Sequence, residues 1–127
     1  MINLPPTVRI FLATAPADMR RGFDGLAALT TSVLGEDPLS GHLFVFRNRR
    51  GDRLKILWWD RDGLAILAKR LERGVFRFPT PRDGRIEVTP AEMAAILEGI
   101  DLSRARRQRR FTPPAATTPP PEGDQIL

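Results

Sequence analysis

The residue types that carry most enzymatic chemistry are scarce in this chain of 127 residues, and the basic ones are concentrated. There is no cysteine and a single histidine, His42. That excludes disulfides, thiolate metal sites, thiol nucleophiles and multi-histidine metal centres. No nucleophile-elbow pattern accompanies His42, so a serine–histidine pair has nothing to build on. Two carboxylates, Asp60 and Asp62, fall in the run Asp60-Arg61-Asp62-Gly63. Carboxylates so placed can hold a divalent cation for phosphoryl transfer. The same run is also that of a turn followed by a helix cap, because aspartate binds nearby backbone N–H groups in both settings. Turn and cap is the reading adopted, with a metal-dependent nuclease kept as an alternative. No catalytic, metal-ligating or cofactor-binding residue is assigned.

Basic residues number 20 against 15 acidic ones, a formal net charge of +5. Arg104, Arg106, Arg107, Arg109 and Arg110 carry that whole excess, and without them the two signs balance. A second local excess lies between His42 and Arg61, where Arg47, Arg49, Arg50, Arg53, Lys55 and Arg61 meet only Asp52 and Asp60. Two basic centres on a balanced chain suit a polyanionic partner. Lys55 and Trp59 share one face of a strand, a cation beside a possible base-stacking platform. The candidate DNA contacts are therefore Arg47, Arg49, Arg50, Arg53, Lys55, Trp59 and Arg61, with the five arginines from Arg104 to Arg110 as a phosphate-gripping arm. The competing reading puts Trp59 in the core and leaves the arginines to solvate a sheet edge. Trp58 alternates with Leu54 and Ile56 and is assigned to the core.

These residues need elements to hold them. Val8 to Ala13 reads as a strand. A helix from Asp18 to Leu34 follows, with Asp18 as its N-cap and Met19, Phe23, Leu26, Thr30 and Val33 as its apolar stripe. His42 to Trp59 reads as a β-hairpin around a Gly51-containing loop. Its first strand, Leu43 to Phe46, is apolar on both faces and so belongs at the centre of a sheet covered on both sides. Leu64, Leu67, Ala68 and Leu71 recur at helical spacing, giving a short helix capped by Asp62 and ending at Gly74. Short strands are expected at Val75 to Phe78 and Arg85 to Val88. Thr89-Pro90-Ala91-Glu92 then carries an N-cap, a first-turn proline and a capping-box glutamate, and Met93, Ile96, Leu97 and Ile100 form that helix's buried face. Beyond Phe111 the prolines and low apolar content read as a disordered tail. The expected architecture is a small α+β domain over 1–102: a central hairpin in a short antiparallel or mixed sheet packed with about three helices, then a basic arm and tail over 103–127. No signal peptide or membrane-length apolar run is present, so the chain is expected to be cytoplasmic and nucleoid-associated, with no membrane partner.

Five blocks occur in order: Asp18-Met-Arg-Arg-Gly-Phe-Asp-Gly-Leu, Gly41-His-Leu-Phe-Val-Phe-Arg-Asn-Arg-Arg-Gly-Asp, Lys55-Ile-Leu-Trp-Trp-Asp-Arg-Asp-Gly, Lys69-Arg-Leu-Glu-Arg-Gly-Val-Phe and Leu97-Glu-Gly-Ile-Asp. With these blocks, residues from about 2 to 102 resemble the small accessory proteins (TnpB type, second open reading frame) of the bacterial insertion-sequence family numbered sixty-six. The resemblance implies a non-enzymatic role in DNA transposition beside a separate, larger transposase of the same element. It carries over no catalytic residue, and the arginine run and Pro-rich tail after Ser103 depart from it. The expected partners are thus DNA at the element ends and the element's transposase. A protein adaptor that touches the transposase without binding DNA is the main alternative.

Overall fold

The computed structural model describes residues 7–79, 81 and 85–98. Five strands, β1 (Ile10–Ala13), β2 (Leu43–Arg47), β3 (Arg53–Asp60), β4 (Gly63–Arg70) and β5 (Arg85–Val88), form one sheet in the order β4-β3-β2-β1-β5. The sheet is mixed: β1 and β2 run parallel, and every other neighbouring pair is antiparallel. A parallel pair needs a crossover, supplied by the segment that contains α1 (Phe23–Leu29) and its π-helical continuation Thr30–Leu34. A second helix, α2 (Pro90–Leu97), follows β5.

Every side chain from Leu43 to Phe46 is at most 2% exposed. Alternation along the strand sends Phe44 and Phe46 to one face, where they join Phe11, Leu26, Leu34 and Leu57 beneath α1. Leu43 and Val45 go to the other, where Ile10, Leu12, Leu54, Ile56, Phe76, Met93 and Ile96 close a second core beneath α2. The expected double cover of a central strand is what the fold provides, and Trp58 packs against the second core as expected.

Three local expectations are corrected. First, the segment after Asp62 is a strand. Asp60 pairs with Gly63 and Leu64 with Trp59, so Arg61 and Asp62 are the two residues of a hairpin turn and Asp62 caps no helix. The apolar run Leu64 to Ala68 fits either period over so short a length, and pairing along all of β3 decides for the strand. Second, helix α1 begins at Phe23. Asp18 instead closes its own turn, with Oδ1 accepting from the Arg20 N–H at 2.9 Å. The wider π turn carries Leu34 into the core, where a continued α-helix would bring Val33; Val33 and Phe23 are 43% and 51% exposed. Third, residues 75–79 join no ladder, although Phe76 and Phe78 are buried. Both flanks of β1, β2 and β3 are already taken, so this segment is held by a Phe76 N–H to Gly51 carbonyl bond of 2.7 Å. The described residues thus form two helical segments beside a five-stranded mixed sheet.

The capping box at Thr89 is formed as read: Thr89 Oγ1 accepts from the Glu92 N–H, and the Glu92 carboxylate accepts from the Thr89 N–H. Ile100, the arm and the Pro-rich tail lie outside the described residues.

Candidate nucleic-acid interface

The β2–β3 loop is organised by one amide. Asn48 Oδ1 accepts from the backbone N–H groups of Gly51 (2.9 Å) and Arg53 (3.0 Å), while its Nδ2 donates to Asp52 Oδ1 (2.8 Å). Gly51 has φ 82, and a Cβ there would come within 3.2 Å of the Val75 side chain, so the loop needs a glycine both for its backbone and for its close approach to 75–76. This inward anchoring leaves Arg49 and Arg50 exposed at the tip. The bond from Asn48 holds the Asp52 carboxyl below its ordinary range, with Arg50 and Arg53 adding to it.

Two adjoining open depressions flank this tip. One is lined by Arg20, Arg49, Arg50 and Arg53 with Asp18 and Asp52, the other by Arg53, Lys55 and Arg70 with Glu72; Met19 and Arg53 belong to both. Arg53 and Arg70 are direct partners in the β3–β4 ladder, and Lys55 follows on the same face. The Lys55 ammonium donates to the Arg21 carbonyl (2.9 Å), which ties the start of α1 to the sheet. Arg20 forks onto Asp18, at 2.7 Å for the closest pair, and this holds the Asp18 carboxyl at about 2. Arg70 meets Glu72 more loosely, at 3.3 Å. Lys69 also borders the second depression, but its ammonium donates to the Leu97 carbonyl at the end of α2.

Of the residues singled out in the sequence, Arg49, Arg50, Arg53 and Lys55 come together. Arg47 does not join them. Its guanidinium donates to the Phe76 carbonyl (2.8 Å) and lies 3.9 Å from the Phe78 ring centre, and burial pushes it below its ordinary value. Trp59, half-buried, and Arg61 stand at the other end of β3. Eight residues at about 3.4 Å each put roughly 25 Å between that end and the tip. Arg104, Arg106, Arg107, Arg109 and Arg110 lie outside the described residues. The sequence reading missed Arg20 and Arg70. Arg70 becomes visible once 63–70 is a strand, because the two-residue turn then fixes its register opposite Arg53.

Among the described residues, no three His, Asp or Glu side chains are grouped to hold a metal ion, and no helix is long and apolar enough to cross a membrane. Asp60 and Asp62 are exposed on either side of Arg61.

Comparison with known proteins gives a consistent answer. The model of the family described as IS66 Orf2 like protein matches residues 8–107, ending inside the arginine run. The chain is 43% identical over 108 residues to the uncharacterized protein y4jC of Sinorhizobium fredii, covering 85% of this chain and 92% of that one. It is 46% identical over 112 residues to y4hO of the same organism, covering 88% and 97%. No solved structure matches.

Proposed function

The chain belongs to the IS66 Orf2-like family, which gives it an accessory role in an insertion sequence, and from that premise we propose that it acts without catalysis by holding DNA for the element's separate transposase. The observation that carries this reading is the gathering of Arg49, Arg50, Arg53 and Arg70 at one end of the sheet, with two arginines set directly opposite each other. Like charges across a ladder are destabilising, and a phosphate backbone laid over them turns that repulsion into attraction. Guanidinium forks suit phosphate oxygens. The arm from Arg104 to Arg110 adds sequence-independent grip, and the loop arginines orient the duplex against the sheet.

The second reading is an adaptor that engages the transposase through exposed apolar side chains. Phe23, Val33 and Leu39 are 51%, 43% and 53% exposed. Mobility-shift titration on element-end duplex, random duplex and single strands at two salt concentrations separates the two. Retention that weakens steeply with salt supports DNA holding. Absence of any shift at low salt, together with capture of the transposase, establishes the adaptor. Cleavage that requires a divalent metal and is lost in Asp62→Asn would replace both with a nuclease.

A further inference from the structure

The sheet has two edges, and they are built differently. β5 is four residues long and carries Arg85 and Glu87, ion-paired with Glu36 and Arg9 in the segments beside it. Short, charged edges resist pairing with other chains. β4 is eight residues long, and its stretch Leu64-Ala65-Ile66-Leu67-Ala68 contains no charge, proline or glycine. Leu64 and Ile66 lean on the core beneath α1 and Leu67 on the core beneath α2, yet all three stay half-exposed. Among the described residues no strand lies on the outer side of β4.

The free peptide groups of this edge can be identified. The Leu71 N–H donates to the Asp52 carbonyl at 2.8 Å. Alternation along an antiparallel ladder then points the peptide groups of Lys69, Leu67 and Ala65 toward β3, and those of Leu64, Ile66, Ala68 and Arg70 outward. The charges at the two ends of the strand are opposite in sign: Asp60, Arg61 and Asp62 at the turn before it are net negative, and Lys69, Arg70 and the following Glu72 at its close are net positive.

We propose that β4 pairs antiparallel with β4 of a second copy about a two-fold axis through Ile66, joining two sheets into one of ten strands. In that register the outward groups meet outward groups. Ile66 faces Ile66 and Leu64 faces Ala68 on one side of the sheet, and Ala65 faces Leu67 on the other. Asp62 of each copy comes alongside Arg70 of the other, acid against base twice. Parallel pairing would set acid against acid and base against base. Sliding the antiparallel register so that Ile66 faces Ala68 would set Asp62 against Glu72, and sliding it the other way, so that Ile66 faces Leu64, would set Asp62 against Ala68 and lose both Asp62–Arg70 pairs. A second copy is therefore the occupant that the charge order selects, through the self-complementary contact that two-fold symmetry requires. Two arginine-lined tips would then stand at opposite ends of the joined sheet. This pairing does not depend on nucleic-acid binding.

The chain has no cysteine, so a single introduced thiol reports the pairing in the full-length protein. Residues opposed in a hydrogen-bonded antiparallel pair have Cα atoms about 5.5 Å apart, within disulfide reach. Under mild oxidation Ile66→Cys should form a covalent dimer at least about tenfold faster than Arg49→Cys, whose thiols would lie far apart. Equal rates overturn the proposal. In sedimentation, Asp62→Arg should weaken the dimer by about 3- to 30-fold, and adding Arg70→Asp should restore it. Failure of the double variant to recover, or a wild type that sediments as a monomer, also overturns it. Should Ile66→Cys not fold, the charge swap at these two exposed positions decides alone.

Discussion

Arg53 stands directly opposite Arg70 in the β3–β4 ladder, and among the described residues the repulsion is offset by Asp52 beside Arg53 and by a loose Arg70–Glu72 contact of 3.3 Å. A position kept for binding at the expense of folding should show the exchange when it is changed. Arg53→Thr is expected to raise stability by about 0.2–1 kcal/mol, the usual scale of a cross-strand pair, while weakening DNA retention. Urea unfolding and mobility shift on the same sample check both halves.

Arg61 has φ 59, a left-handed backbone that side chains other than glycine adopt at a cost of roughly 1–2 kcal/mol. Its place at the far end of β3 removes it from the arginine-lined tip. Arg61→Gly should therefore stabilise the fold by about 0.5–1 kcal/mol, since some of the relief is lost to chain entropy, and should leave DNA retention nearly unchanged. A loss of retention comparable with that of Arg53→Thr would extend the interface along the whole of β3.

The hairpin, the double cover of Leu43 to Phe46 and the capping box at Thr89 were legible because each rests on local chemistry: alternation, turn residues and a three-residue spacing. β4 was not. Leu64, Leu67, Ala68 and Leu71 satisfy a helical period, alanine and leucine are good helix formers, and only the pairing with β3 distinguishes the strand. That error hid Arg70 from the candidate site. Arg47 shows the converse. Its charge belongs to the basic run in the sequence, but its even step from Leu43 and Val45 places it on the core face, where Phe76 and Phe78 take it up.

Thr89 and Glu92 satisfy each other's backbone donors at the start of α2, with Thr89 Oγ1 to Glu92 N at 3.1 Å and Glu92 Oε1 to Thr89 N at 2.8 Å. Thr89→Ala should cost about 0.5–2 kcal/mol, and Thr89→Asp much less. Thermal or urea unfolding of the pair measures it. Equal losses in both variants would show that something other than the cap holds this end of the helix.

Asp18 is held at about 2, below the ordinary 3.8, chiefly by the Arg20 side chain. The carboxyls of Glu87, through Arg9, and Asp52, through Asn48, are also lowered. A depressed acid contributes stability above its unfolded value and loses it as pH falls through its folded value. Asp18→Asn should thus differ from the wild type in urea midpoint above pH 4 and converge with it toward pH 2. At neutral pH the same variant removes an anion from the depression beside Arg49 and should bind DNA more tightly. A midpoint difference that is undiminished at pH 2 would assign the effect to packing rather than to charge.

The most direct measurement is the slope of log affinity against log salt for duplex DNA. Each phosphate contact adds about 0.9 to that slope. The full-length variant Arg49→Ala/Arg50→Ala/Arg53→Ala should flatten it by up to roughly 3 units. Replacing Arg104, Arg106, Arg107, Arg109 and Arg110 with serine should flatten it by up to roughly 4–5. Slopes that match the wild type in both variants would contradict DNA holding by this protein and leave the adaptor reading in its place.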